Sequence, residues 1–403
     1  MSENIMSGVK VIEMSTYVAG PMCSRVLGDW GADVIKVESY RGDPVRVLGM
    51  NMLAPTDVEE NPAFFVTNSN KRIIALNQRT EEGKEIMRKL VKEADVFITN
   101  YRKEALVAMG LDYETLSKKQ PRLIFAHILG FGEKGPDAAR PAFDFTTYFA
   151  RSGFMHAMAD SEGPPTINAP GFGDNQLAMF LAGGISAALY KREKTGKGDY
   201  VNVSLYHCGI FAFAVPLTGE QYATMYPYTR THPLTPLVNT YKCSDGVWYY
   251  FGTPDYVTYF ARAARALGLD ELADNEDYNS IMGMLMNVEE IVQMFDAKFI
   301  QKTSLEWKEI LDKADIPGEI VCTWQDVLKD EQAYANEFLK NLNYSNGNHG
   351  ALATTPVRFG SMDILDYGRL PGDVGCDSVE ILTELGFSQE AIAGMKEAKV
   401  FNA

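Results

Sequence analysis

The chain has 403 residues, of which 46% are hydrophobic and 23% are charged, and its formal net charge is −15. These proportions are typical of a globular protein, and the excess of acid argues against general nucleic-acid binding. No run of about 18 uncharged apolar residues occurs, so the sequence predicts no membrane span, and the N-terminus does not resemble a secretory signal. The five scattered cysteines contain no C-x-x-C pair, which is typical of reduced thiols in the cytoplasm.

The first two hundred residues alternate short apolar runs with helical patterns. Strands are predicted at Val9–Met14, Ala32–Glu38, Arg72–Leu76, Asp95–Asn100 and Leu123–Leu129, with helices at Pro21–Trp30 and Thr80–Glu93. This alternation predicts an α/β fold with a parallel sheet covered on both faces. Ligands of such sheets bind beyond the carboxyl ends of the strands. The segments that follow strands are Ser15–Gly20, Ser39–Arg46, Asn100–Arg102 and Gly130–Gly135.

The pattern changes near residue 225, where a proline-rich and aromatic segment predicts a loop. A hairpin with a turn at Asp245-Gly246 follows, then helices to about residue 313, and then a strand with an acidic helix. The last sixty residues predict a strand at Pro356–Phe359 and a closing helix near Ser378–Leu385. We therefore expect residues 1–215 to form the N-terminal part of a large domain and residues 225–330 a small α+β domain. Residues 331–403 are expected to return to the large domain.

Asp174 stands out because it opens a helical run that ends at Thr195-Gly196 and is followed by a strand-like VNVSL segment. The carboxylate could cap that helix by accepting hydrogen bonds from its first amides. Alternatively, an aspartate kept ionised by the helix dipole could attack an acyl carbon. The neighbouring glycines, Gly171 and Gly173, would let a bulky thioester approach closely. The residues alone leave both roles open.

Other polar residues give weaker signals. Lys71, Arg72, Arg102 and Lys103 lie near predicted strand ends, where solvated surface charge is the default interpretation. Asp144 follows a glycine-rich turn and could be a second carboxylate of a site or a helix cap. The histidines, including His127, are isolated and lack the spacing of a zinc motif.

A set of motifs in fixed order resembles the family III CoA-transferases, which include formyl-CoA transferase and the related acyl-CoA racemases. The motifs are VKVIEMSTYVAGP, GADVIKVE, NSNKR, ADVFITN, GFGEKGP, AFD, the GD at Asp174, and TGKG. The segments YFARSG, GFGDNQ and DEQAYANEF resemble the (R)-2-hydroxyacid branch of this family, whose members act on 2-hydroxyisocaproate or phenyllactate.

The resemblance implies a Rossmann-like large domain, a smaller domain and an interlocked homodimer. It implies that Asp174 is the catalytic residue and forms an aspartyl-CoA thioester while CoA moves from an acyl-CoA or enoyl-CoA donor to a 2-hydroxy acid. It implies no permanently bound cofactor or metal, since coenzyme A is substrate and product. It also implies anaerobic amino-acid fermentation, in which a 2-hydroxyacyl-CoA dehydratase takes the product.

The resemblance assigns CoA contacts to Val18 and Ala19, to Asn68 through Lys71, and to Asn100, Tyr101 and Arg102. Arg72 and Asp144 are further candidates for binding CoA or substrate. The basic residue expected after KVE is Ser39 here, so Arg41 or Arg46 is expected to hold the CoA phosphates instead. The alternative function is an acyl-CoA racemase, which needs two bases. The racemase pattern has a histidine where this chain has Phe143, and phenylalanine carries no proton, which favours transfer.

Overall fold

The computed structural model describes residues 4–223 and 225–403. The strands are β1 Lys10–Met14, β2 Asp33–Ser39, β3 Arg72–Leu76, β4 Val96–Thr99, β5 Ile124–Leu129, β6 Asp199–Ser204, β7 Val238–Lys242, β8 Trp248–Gly252, β9 Gly318–Ile320, β10 Leu339–Asn343, β11 His349–Ala353 and β12 Phe401–Asn402. The α-helices are α1 Ala19–Asp29, α2 Pro62–Asn68, α3 Glu81–Lys92, α4 Lys103–Met109, α5 Tyr113–Lys119, α6 Phe154–Ala157, α7 Phe172–Thr195, α8 Leu205–Ala212, α9 Ala214–Gly219, α10 Tyr256–Ala266, α11 Asp270–Asp274, α12 Ile281–Phe299, α13 Ser304–Lys313, α14 Trp324–Val327, α15 Glu331–Ala335, α16 Ser378–Glu384 and α17 Gln389–Glu397. A 3-10 helix spans Pro44–Met52 and a π-helix spans Asp144–Ala150.

The chain divides into two compact units. Unit 1 comprises residues 4–154, 168–214 and 331–403, and unit 2 comprises residues 155–167, 215–223 and 225–330. No helix in the described parts of the chain has both the length and the apolar character needed to cross a membrane.

Unit 1 is built on a large, mostly parallel sheet. Within the described residues it has seven strands in the order β12-β3-β2-β1-β4-β5-β6, and only β12 runs antiparallel to its neighbour. The parallel strands thus have the order 3-2-1-4-5-6 of doubly wound nucleotide-binding folds. This confirms the parallel sheet predicted from the sequence. Each predicted strand of the first 130 residues lies within about two residues of an observed one, the usual uncertainty of an element boundary.

Local sequence explains the helices that cover this sheet. In α3, the hydroxyl of Thr80 caps the helix by accepting the Gly83 N–H, while acidic residues occupy the first turn and lysines the last. This charge order suits the helix dipole. The buried side of α3 packs Ile86 and Leu90 into a core shared with the central strands. The helix predicted over Thr80–Glu93 is confirmed.

Unit 2 has a three-stranded antiparallel sheet, β7-β8-β9, with a core of aromatic and aliphatic side chains. Tyr241 stacks on Phe299 with ring centroids 4.9 Å apart, and α10, α12 and α13 supply further buried residues. The predicted hairpin turn is confirmed, since Gly246 has a positive φ of 83° between β7 and β8.

The strand predicted at Pro356–Phe359 is wrong. A hairpin of β10 and β11 precedes it, and its turn contains Gly347 at φ 88°. The segment after β11 is held by side chains instead, because Thr355 donates to Asp29 and its N–H bonds Asp366. Proline also cannot donate to a strand ladder. The predicted acidic helix proves to be two short helices, α14 and α15.

Candidate active site

The carboxyl ends of the central strands of unit 1 open onto a cavity of about 900 Å³. Its walls include Thr16–Ala19 after β1, Asn100–Leu106 after β4 and Ile128–Gly130 at the end of β5. The strand order reverses between β1 and β4, and such a switch point is where open α/β sheets bind ligands. Three of the four segments expected to bind a ligand therefore contribute to this cavity, whereas Ser39–Arg46 does not.

Asp144, at the start of the π-helix, caps the helix that carries Asp174. Its Oδ2 accepts the N–H of Gly171 at 2.9 Å, and its Oδ1 accepts the N–H of Gly173 at 3.1 Å. These are donors that a helix N-terminus leaves free. A Cβ on Gly173 would overlap the Tyr148 ring and the Asp144 carboxylate, so the close approach requires glycine. Asp144 is thus a helix cap, but for α7 and not for its own helix.

Asp174 lies in the first turn of α7, behind the N-cap residue Gly171, so the interpretation of Asp174 as an N-cap is wrong. Its carboxylate has no hydrogen bond or ion pair to any residue that the structure describes, although it lines the cavity. Burial, and next the nearby charge of Asp144, raise the pKa of Asp174 to about 7. Burial therefore opposes the stabilisation that the helix dipole gives to the charged form of Asp174.

Burial likewise raises the pKa of Asp144, to about 6, although the amides of Gly171 and Gly173 favour its charged form. Two acidic groups with raised pKa values therefore share one cavity wall. Such pairs are common where a carboxylate takes part in chemistry.

The structure brings part of the expected CoA site together with these carboxylates. Val18, Ala19, Asn100, Tyr101 and Arg102 all line the cavity. The side chain of Asn100 binds the backbone of Thr16 through two hydrogen bonds, and this ties the loop after β4 to the loop after β1. Arg102 precedes α4 and has no ion pair among the residues described, so its guanidinium is free to meet an anionic ligand.

Other expected binding residues lie outside this cavity. Arg41 is exposed on the segment after β2. The guanidinium of Arg46 pairs with Glu38 at 3.0 Å and donates to the carbonyl of Gly372. Arg72 is the first residue of β3, at the amino end of the sheet, and pairs with Asp33.

Asn68 and Lys71 are buried. The Lys71 ammonium binds the Glu13 carboxylate at 2.9 Å and the Asn68 side-chain oxygen at 3.0 Å. The default expectation of surface charge is wrong for Lys71, because a buried acid on β1 compensates its charge.

A polar cluster that the sequence did not predict also lines the cavity. The ring nitrogens of His127 lie 2.9 Å from the Tyr200 hydroxyl and 2.9 Å from the Tyr101 carbonyl, and Tyr200 also donates to Glu133 at 2.5 Å. Burial lowers the pKa of His127. His127 lies near the carboxyl end of β5, and that position was the only signal, because no motif contains it.

Two aromatic residues also line the cavity without having been predicted as site residues, Tyr17 and Phe143. Within the described parts of the chain, no group of three or more His, Cys, Asp or Glu side chains could hold a metal ion.

Comparison with known proteins identifies the family of the chain. The family model described as CoA-transferase family III matches residues 6–371. The chain is 41% identical to an (R)-2-hydroxy-4-methylpentanoate CoA-transferase of Clostridioides difficile over 98% of its own length and 99% of that protein. It is 39% identical to a cinnamoyl-CoA:phenyllactate CoA-transferase of Clostridium sporogenes over 98% of its length and 97% of the relative.

Its fold is similar to the crystal structure of a CAIB/BAIF family protein from Brucella suis. The TM-score is 0.82 and the identity is 30%, over 95% of this chain and all of that chain. Because the family description and both relatives extend over nearly the whole chain, this protein belongs to CoA-transferase family III.

Proposed function

We propose that this enzyme transfers CoA from an acyl-CoA or enoyl-CoA donor to a 2-hydroxy acid, through a covalent intermediate on Asp174. The acceptor is 2-hydroxyisocaproate or an aryl-lactate, as the names of the two relatives suggest. The observation that carries the proposal is the carboxylate of Asp174, which lines the cavity and has no partner among the residues that the structure describes, while Asp144 supplies the helix cap. The proposed setting is anaerobic amino-acid fermentation, with the product passed to a 2-hydroxyacyl-CoA dehydratase.

In the proposed chemistry Asp174 attacks once, and the CoA thiolate leaves and returns twice. The Asp174 carboxylate attacks the donor thioester, which gives a mixed anhydride and releases the CoA thiolate. The thiolate attacks the aspartyl carbonyl, forms aspartyl-CoA and frees the donor acid. The acceptor carboxylate then opens this thioester to a second anhydride, and the returning thiolate attacks its acyl carbonyl and regenerates Asp174. A poorly solvated carboxylate with a pKa of about 7 is ionised in part at neutral pH and is little stabilised by water.

For CoA we propose a path along the cavity walls after β1 and β4. Val18, Ala19, Asn100 and Tyr101 form its neutral part, and Arg102 supports the phosphates electrostatically. Lys103 adds a second positive charge, although it pairs with Glu114 at 2.8 Å. Asn68, Lys71, Arg41, Arg46 and Arg72 are not part of this path, since they are buried, paired or outside the cavity.

We also propose a homodimer. The long helix α7 exposes Phe180, Gly183, Ala187 and Tyr190, which recur at helical spacing and form an apolar stripe. Phe211 of α8 extends this stripe, with its ring centroid 5.8 Å from that of Phe180. Helices with apolar residues all round are normally covered, and exposed apolar patches mark contacts with other chains.

The catalytic proposal is tested by Asp174→Ala and Asp174→Asn. We expect CoA exchange to fall on the order of 10³-fold or more, because removal of a covalent nucleophile removes the reaction path. CoA binding, measured by calorimetry, should be nearly unchanged. Asp199→Asn is the matched control, since Asp199 follows the same helix but pairs with Lys191 at the surface.

Mass spectrometry after incubation with acyl-CoA supplies a second readout. We expect a hydroxylamine-sensitive adduct on the peptide that contains Asp174, present in wild type and in the Asp199 variant and absent from both Asp174 variants. Near wild-type turnover by Asp174→Ala would refute the covalent mechanism.

A further inference from the structure

The loop after β1 is held by side chains from three segments of the chain. The Lys36 ammonium donates to the Ser15 carbonyl at 3.3 Å, Asn100 binds the backbone of Thr16, and Asp43 accepts the Tyr17 N–H at 3.1 Å. Lys36 and Asp43 are themselves ion-paired at 2.8 Å and buried. Because these bonds fix backbone groups of three consecutive residues, the loop has little freedom to rearrange when a ligand binds.

This loop holds Tyr17 in an unfavourable backbone conformation. Its φ of 66° lies in the left-handed region, which costs about 1–2 kcal/mol for a residue with a Cβ. Strained residues of this kind persist where the surrounding structure determines them, and they cluster at functional sites. The ring of Tyr17 is not used to fill the core, since 40% of the residue is exposed. The conformation therefore directs an aromatic side chain to the cavity.

The partner of this ring is Phe143, which directly precedes Asp144 and is 51% exposed. The two rings meet edge to face, with centroids 5.7 Å apart and planes at 88°. Both residues adjoin the start of α7. Asp144 binds the amides of Gly171 and Gly173, and a Cβ placed on Gly171 would lie 4.0 Å from the Val18 side chain. The aromatic pair is thus attached to the two segments that contact the first turn of the helix carrying Asp174.

We propose that Tyr17 and Phe143 form the wall that recognises the side chain of the acceptor acid, and that this wall favours an aromatic ring. The inference rests on the proposed function and specifies its substrate class. An edge-to-face pair with two half-exposed rings forms a corner in which a third ring meets one edge and one face. Aromatic rings prefer such contacts to contacts with aliphatic groups of similar area. A branched aliphatic side chain gains from burial there but lacks the ring–ring component.

The test is a competition assay with one enoyl-CoA donor and equal concentrations of phenyllactate and 2-hydroxyisocaproate. Wild type should show the higher kcat/KM for phenyllactate. Tyr17→Leu and Phe143→Leu should each lower the ratio of the two kcat/KM values roughly 3- to 10-fold, the range for one aromatic contact. Phe338→Leu, which removes an exposed aromatic ring outside both the cavity and the apolar stripe of α7 and α8, is the matched control and should leave the ratio unchanged.

Adduct formation on Asp174 is measured in the same variants by mass spectrometry. An unchanged acceptor ratio in both leucine variants, with the adduct still formed, overturns the aromatic wall alone. Absence of the adduct from wild type overturns the proposed function, and this inference with it. Phe143→Leu keeps the test valid if Tyr17→Leu fails to fold. Phe143 has neither an unusual φ nor a buried ring, so its replacement should leave the fold intact.

Discussion

Two aspartates with different tasks lie at the start of α7, although only Asp174 belongs to that helix. Asp144 is buried and its oxygens accept backbone amides, whereas the Asp174 carboxylate has no partner in the described residues. Burial raises the pKa of both groups, and the charge of Asp144 raises the pKa of Asp174 further.

These pKa values predict the acid limb of the pH profile. Asp174 attacks only when ionised, so kcat/KM, which reports the pKa values of the free enzyme, should fall as the pH decreases through about 7, the value to which the pKa of Asp174 is raised. Asp144→Asn removes the negative charge that helps to raise this pKa. The limb should therefore move to lower pH in the variant, although the weaker helix cap lowers the stability of the variant. The measurement is kcat/KM from pH 5 to 9.

Asp199→Asn provides the control profile and should keep the wild-type limb, since Asp199 pairs with Lys191 away from the cavity. A limb that stays in place in Asp144→Asn would show that the charge of Asp144 does not act on the nucleophile.

At the scale of elements, a buried ionic cluster positions the loop after β1. Glu13 of β1 binds Lys36 of β2 and Lys71 at 2.9 Å each, and Lys36 also binds Asp43. The two ammonium groups lower the pKa of Glu13 to about 2 despite its burial, whereas burial lowers the pKa of Lys71 to about 8. The carboxylates raise the pKa of Lys36, so this lysine stays charged.

Lys36→Met should disturb both stability and activity. The change leaves Glu13 and Asp43 without their shared cation, and breaking a buried pair in this way costs about 3–5 kcal/mol. Loss of the bond to the Ser15 carbonyl should also loosen the loop, so that kcat/KM falls even where the variant is fully folded. Urea denaturation and steady-state kinetics measure the two effects.

Lys10→Met is the matched control, because Lys10 lies on the adjacent strand β1 with an exposed ion pair to Glu93. Exposed pairs contribute little, so both readouts should stay near wild type. Equal behaviour of the two variants would contradict a positioning role for Lys36.

At the scale of the whole molecule, the apolar stripe on α7 and α8 predicts self-association. Light scattering coupled to gel filtration should give twice the 44.8 kDa mass of one chain. Phe180→Asp places a charge in the stripe and should shift the mass toward that of a single chain, because a charge is costly in a closed apolar contact. Lys118→Glu on α5 is the control, because it changes the charge at an exposed site outside the stripe and should leave the mass unchanged.

A mass of one chain for the wild type would contradict the proposed homodimer. A mass of two chains in Phe180→Asp, equal to that of Lys118→Glu, would place the contact elsewhere on the molecule.

The sequence by itself determined the strands and helices of the parallel sheet, because burial leaves a periodic trace along the chain. It also determined the family, through motifs in fixed order, and it identified the Gly171–Asp174 segment as the start of a helix. It could not assign the cap, since Asp144 precedes Gly171 by 27 positions and only packing brings them together. The surface role expected for Lys71 failed for the same reason, because its partner Glu13 is 58 residues away.

Only the tertiary structure decided which polar and aromatic residues share the cavity. Tyr17 and Phe143 lie in segments that the motifs contain, and His127 lies near a strand end, yet no motif indicates that the three side chains line one cavity. Hydrophobic periodicity reports whether a residue is buried, but not which distant residue it contacts. The contacts that set the pKa of Asp174 and the shape of the acyl subsite join residues that are far apart in the sequence, so periodicity does not report them.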